Sequence, residues 1–123
     1  METALPSEKR GVLVVEEEAL IAMDLQDILE GAGYQVLGPV QSLEAALALL
    51  ALCDPEIAVL DVNLTRSTVF ALADALAERN TPFCFVTGHS RAALPEAHAH
   101  RPTVVKPYLP DTLIATVRKL RPV

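Results

Sequence analysis

The sequence predicts an α/β domain in which a parallel sheet is covered on both faces by helices. Two observations lead there. Short, continuous apolar runs rich in Val, Ile and Leu alternate with segments whose apolar residues recur every three or four positions. The first kind is what strands buried on both faces look like, and the second is an amphipathic helix. The alternation occurs five times, with a shortened fourth helix, and the chain length of 123 residues suits one domain, residues 1–123. Residues 1–10 read as a flexible N-terminal extension.

The elements follow in order. Val12 to Glu16 is the first strand, and Leu20, Ile21, Leu25, Ile28, Leu29 and Ala32 then repeat at helical spacing, with Gly31 and Gly33 as the stop. Tyr34 to Val40 is the second strand, ended by Gly38-Pro39. Ser42 suits the N-cap of a helix that carries Leu43, Ala46, Leu47 and Leu50 on one side, and Asp54-Pro55 breaks it. Ile57 to Asp61 is the third strand. Ser67 or Thr68 is placed to cap the next helix, with Val69, Leu72, Ala73 and Leu76 as its apolar stripe. Thr81-Pro82 introduces the strand Phe83 to Gly88. From His89 to Pro102 the pattern is Ala-rich, and Pro95 and Pro102 limit any helix to a turn or two. Thr103 to Pro107 is the fifth strand. Pro110 sits in the first turn of a last helix that faces Leu113, Ile114, Val117 and Leu120 inward.

Composition excludes several classes. Ten basic against 16 acidic side chains give a net charge of −6, which argues against nonspecific nucleic-acid binding. No apolar stretch approaches the roughly 20 residues of a membrane span, and METALPSEKR has no signal-peptide core. A cytoplasmic protein is expected. Cys53 and Cys84 form neither a metal motif nor a disulfide framework, so structural thiols are expected. The three histidines, His89, His98 and His100, are expected in solvent, and Tyr108 as a packing residue beside the last helix.

In parallel sheets ligands bind at the carboxyl ends of the strands. Strand 1 ends there in Glu16-Glu17-Glu18, strand 3 in Asp61, strand 4 in Thr87 and strand 5 in Lys106. Clustered carboxylates repel one another unless a hard cation joins them. Their oxygens suit Mg²⁺, which takes one or two carboxylates together with phosphate oxygens and water. A lysine and a hydroxyl nearby suit the remaining oxygens of a phosphoryl group. The residues thus suggest a Mg²⁺-assisted phosphoryl site with a carboxylate nucleophile. Taken singly, each has a plainer reading: Glu18 favours a helix N-terminus, and Asp61 is an ordinary turn residue.

The pieces VLVVEEEALIA, AVLDVNL, FVTG and VVKPY, spread over nearly the whole chain, resemble the receiver domain of two-component response regulators. DVNL, ADALAERNTPFCFVTG and the short fourth helix are most similar to single-domain receivers of alphaproteobacteria served by HWE-type histidine kinases. The resemblance implies a flavodoxin-like (βα)5 three-layer sandwich with strand order 2-1-3-4-5. It implies that Asp61 accepts a phosphoryl group from a histidine kinase or a phosphotransfer protein. Glu17, Asp61 and the backbone carbonyl of Asn63 would hold Mg²⁺, with Glu16 assisting through water. Lys106 would pair with a phosphoryl oxygen, and Thr87 would move to bond another and report the change. Such a chain catalyses at most its own phosphorylation and dephosphorylation, and signals through a downstream protein target or drains phosphate from a kinase.

Four features depart from the family pattern. The acidic pair is Glu16-Glu17 rather than one containing Asp, and Thr103 stands where an aromatic often sits three residues before the lysine. Thr65 replaces the usual Pro, and the fourth helix is short. They motivate the alternative of a degenerate receiver that binds partners without being phosphorylated. A phosphohydrolase of the haloacid dehalogenase type fits less well, because Asn63 cannot serve as its general acid. The chain ends directly after the fifth helix, so output is expected through protein contacts. Residues 1–78 hold 14 acidic and 3 basic side chains, and residues 79–123 hold 2 and 7. That surplus, in Arg91, Arg101, Arg118, Lys119 and Arg121, marks the fourth segment, strand 5 and last helix as a candidate face for an acidic partner, beside the plainer reading of solvated helix surfaces.

Overall fold

The first strand, β1 (Arg10–Val15), pairs in parallel with β2 (Tyr34–Val40) on one side and with β3 (Ile57–Asp61) on the other; β4 (Phe83–Thr87) and β5 (Thr103–Val105) follow outward from β3. The order β2-β1-β3-β4-β5 is the one the family resemblance implies. The computed structural model describes residues 10–62, 64, 68–88 and 94–120. The expected extension lies outside these residues except for Arg10, which already belongs to β1.

Helices α1 (Ala19–Gly31), α2 (Leu43–Leu50), α3 (Phe70–Glu78) and α4 (Pro110–Leu120) complete the layers. Alternation along each strand decides which face each side chain serves. Leu13, Val15, Ala58, Leu60, Phe83 and Phe85 join Ala46 and Leu50 of α2 and Leu72, Ala73 and Leu76 of α3. Val12, Val14, Ile57, Val59, Cys84 and Val86 join Leu25 and Leu29 of α1 and Leu113 and Val117 of α4. β3 and β4 are buried along their whole length, which is why they stay apolar up to Asp61 and Thr87.

Several local expectations are corrected. Gly38-Pro39 does not end β2 but lies inside it. The register moves from Leu13↔Leu37 to Val15↔Val40, so one extra residue bulges from β2. Gly38 has φ +97°, and a Cβ there would lie 2.7 Å from the Val40 nitrogen. Strand 1 starts earlier than expected, at Arg10, and stops at Val15; strand 4 stops at Thr87 and strand 5 at Val105, each shorter than expected.

Ser42 caps α2 as expected, its Oγ accepting from the Ala45 N–H at 3.1 Å. Thr68 does not cap α3. Val69 takes the N-cap position without a side-chain bond and is buried; Ser67 lies outside the described residues. Leu20 shares the helical spacing of the apolar residues of α1 but is 81% exposed. It stands two residues before the buried Ala22, roughly 200° around the helix. Leu47 is likewise exposed, although the buried Ala46 and Leu50 flank it.

The fourth crossover departs most from a helix. Its described residues hold a single 3-10 turn, Glu96–His98. His98, expected in solvent, is buried. Its ring stacks on Phe70 at 6.4 Å and meets Phe83 and Phe85 edge-on, while Nε2 lies 2.7 Å from Asp74 Oδ1 on α3. One imidazole supplies here the apolar body that a helix stripe would have supplied, and its polar edge still reaches a partner. His100 is exposed as expected, and His89 lies outside the described residues. Cys53 and Cys84 are free thiols; burial pushes Cys84 up to about 12. No helix among the described residues is long and apolar enough to cross a membrane.

Two measurements check this account. Gly38→Ala should lose about 2–4 kcal/mol in urea unfolding, from the left-handed φ and the clash with Val40. With a disulfide reagent at neutral pH, Cys53 should react in the folded protein. Cys84 should react only after denaturation, because its thiol is protonated and enclosed.

Candidate functional site

The carboxyl edge of the sheet gathers the chemistry, because the four adjacent strands β1, β3, β4 and β5 end at nearly one level. Asp61 is the last residue of β3 and Thr87 the last of β4; Glu16 and Lys106 are the first residues beyond β1 and β5. Glu16, Asp61 and Thr87 are buried. Each is held by backbone as well as by sequence position. The Glu16 N–H donates to the Val40 carbonyl at 3.0 Å, and the Lys106 N–H donates to the Thr87 carbonyl at 2.8 Å. β5 therefore places Lys106 through β4, and the β2 bulge places Glu16.

Lys106 Nζ lies 3.1 Å from Glu16 Oε1 and 3.7 Å from Asp61 Oδ1. Its side chain is 23% exposed, whereas that of Glu16 is fully enclosed. The 3.1 Å contact is an attraction of charges without hydrogen-bond geometry. The other oxygen, Glu16 Oε2, accepts the Glu18 N–H at 3.1 Å and so closes the turn into α1. Two buried carboxylates thus face one ammonium.

Glu17 is half-buried beside them, and its carbonyl accepts from Gln41 Nε2 at 3.0 Å. Asn63 lies outside the described residues. The structure brings together Glu16, Asp61 and Lys106. Thr87 joins them through the Lys106 backbone and its place on the same sheet edge. Among the described residues no three or more His, Cys, Asp or Glu groups are gathered to hold a metal. The donor set nonetheless fits Mg²⁺ by its chemistry. Its oxygens are hard, two negative charges share one ammonium, and this ion commonly takes only one or two carboxylates and completes its shell with carbonyls and water.

Two neighbours were not singled out from the sequence. Ile21 and Asp24 of α1 line a cleft of about 400 Å³ with Lys106, Pro107 and Tyr108. Tyr108 packs against the core on the α1–α4 side, as expected, and its phenol is pushed up to about 12 by burial first, then by Asp24 and Glu16. Nothing in the local sequence marks Asp24, because its neighbours come from a segment some eighty residues away.

Comparison with known proteins agrees with this geometry. The family model for the response regulator receiver domain matches residues 12–118. The transcriptional regulatory protein PdtaR of Mycobacterium tuberculosis is 33% identical over 88 residues, which are 71% of this chain and 43% of that protein. The solution structure of SdrG from Sphingomonas melonis Fr1 is 35% identical with a TM-score of 0.80, covering 92% of this chain and 97% of that one. The anti-anti-sigma factor PhyR of Bartonella quintana, solved as a mutant, is 28% identical with a TM-score of 0.78, over 91% of this chain and 48% of that one. The chain spans less than half the length of PdtaR and of PhyR, and nearly all of SdrG. With a family model matched over most of its length and the sheet order and edge chemistry in place, the chain belongs to the response regulator receiver domain family.

Proposed function

We propose that this receiver takes a phosphoryl group onto Asp61 from the phosphohistidine of a histidine kinase, of the HWE group, or of a phosphotransfer protein, and passes the change on by protein contacts. The observation that carries this reading is the Lys106 ammonium set between Glu16 and Asp61 at the carboxyl edge.

The chemistry follows from the residues. An Asp61 carboxylate oxygen forms the new bond to phosphorus, the phosphorus–nitrogen bond of the donor breaks, and the electron pair returns to the imidazole, which takes up a proton. The product is an acyl phosphate. Lys106, already 3.7 Å from Asp61, is placed to meet a phosphoryl oxygen as negative charge gathers there. Thr87, one residue beyond the Val86 that pairs with Asp61, is on the adjacent strand to offer its hydroxyl to another oxygen. Glu16, Glu17, Asp61 and the Asn63 backbone would hold Mg²⁺, which when bound offsets the charge of the carboxylates and the incoming phosphoryl group. Receivers as a family are not turnover enzymes, and the lasting output is the changed surface.

That PhyR is named an anti-anti-sigma factor supports an output through protein partners. The basic side chains in the last turn of α4, Arg118 and Lys119, offer a surface for an acidic partner, whereas Arg101 lies over the Phe83 ring on the α2–α3 side.

Intact mass after incubation with Mg²⁺ and a small phosphodonor, followed by the cognate kinase, tests the reading. The parent should gain one phosphoryl group, and the gain should vanish in Asp61→Asn and with a chelator. No gain from either donor would make the chain a receiver that acts without phosphorylation. The charge cluster has its own test. Lys106→Met should cost about 1–3 kcal/mol, less than for a fully buried pair because the lysine is partly exposed. Adding Glu16→Gln should recover most of that loss, whereas simply additive effects in the unfolding cycle would show that the two charges are not coupled.

A further inference from the structure

The end of β2 offers no reactive side chain, yet it holds the acidic turn on which Mg²⁺ binding would depend. Three bonds fix that turn: the Val40 carbonyl accepts from the Glu16 N–H at 3.0 Å, Glu16 Oε2 accepts from the Glu18 N–H at 3.1 Å, and Gln41 Nε2 donates to the Glu17 carbonyl at 3.0 Å. The first fixes Glu16 and the second closes the turn. The third grips the peptide of Glu17 itself, from a residue 24 positions away. The Gly38 bulge sets where β2 ends, and so brings Val40 and Gln41 level with the end of β1.

We infer that Gln41 is a positioning residue for Glu17: by holding the Glu17 peptide it fixes the point from which the metal-binding carboxylate starts. The chemistry of this acidic pair makes that fixing matter. Glu has one more rotatable bond than Asp, so a carboxylate on the longer stem loses more freedom when a metal with strict octahedral demands orders it. A backbone held in place before binding lowers that cost. Gln41 is exposed and touches no reacting atom; it acts through Glu17. The inference rests on the proposed Mg²⁺ site.

Calorimetric titration of the full chain with MgCl₂, without phosphodonor, tests it. Gln41→Ala removes the side chain, and Gln41→Met keeps a stem of similar length while removing the donor without adding charge. Gln35→Ala, an exposed position on the same strand, is the control. Both Gln41 variants should bind Mg²⁺ roughly 3–10-fold more weakly, the low end of what removing an outer partner of a metal ligand costs. Gln35→Ala should match the parent. Thermal midpoints in chelator should coincide for all four proteins, which a purely structural role would not allow. Parent-like affinity in Gln41→Ala and Gln41→Met overturns the role of Gln41 alone, as does an affinity loss matched by a lowered midpoint in chelator. A parent that shows no Mg²⁺ binding overturns the metal site itself, and this inference with it.

Discussion

Two carboxylates sharing one ammonium are the constraint around which this domain is arranged. Removing a carboxylate from water costs several kcal/mol even after relaxation. Glu16 and Asp61 both pay it, and the Lys106 ammonium lies 3.1 and 3.7 Å from them as a counter-charge. Such an arrangement is tolerable only where the three side chains cannot drift apart. The sheet provides that: β1 and β3 are direct neighbours, and β5 reaches the pair through a backbone bond from Lys106 to Thr87. The gathering of negative charge makes the site responsive, because a cation or a phosphoryl group alters the balance that Lys106 helps to keep.

The rest of the fold answers to that arrangement. The central strands β3 and β4, buried on both faces, bring no polar side chain before Asp61 and Thr87 to compete with the edge. The two cores press from opposite sides, α1 and α4 on one and α2 and α3 on the other. Where the fourth helix would lie, the His98 ring closes the layer against three phenyl rings, and Asp74 ties it to α3.

Much of this was legible in the residues. The strands declared themselves because burial on both faces forbids polar residues, and Asp61, Thr87 and Lys106 stood out as the first reactive groups after such runs. What escaped was decided by contacts distant in sequence. The burial of His98 depends on rings from α3 and β4, and three residues of 3-10 turn have no periodicity to detect. Leu20 has the right residue type, but lies too far around α1 from Ala22 and Leu25 to reach the sheet. Val69 caps α3 from within the core, where burial outweighs the usual preference for a side-chain oxygen. Gln41 looks like any polar residue after a strand until β2 and β1 are laid side by side.

The same prolines that punctuate the sequence also guard the sheet's margins. Both outer strands, β2 and β5, leave one row of backbone groups unpaired within the sheet, a template on which another chain can assemble. On β5 that row is three residues long, bounded by Pro102 before it and Pro107 soon after, neither of which has an N–H to give. On β2 the row is interrupted by Pro39 and bent by the bulge at Gly38. A chain with the exposed Val105 at the rim of its sheet is thereby a poor seed for strand-by-strand aggregation.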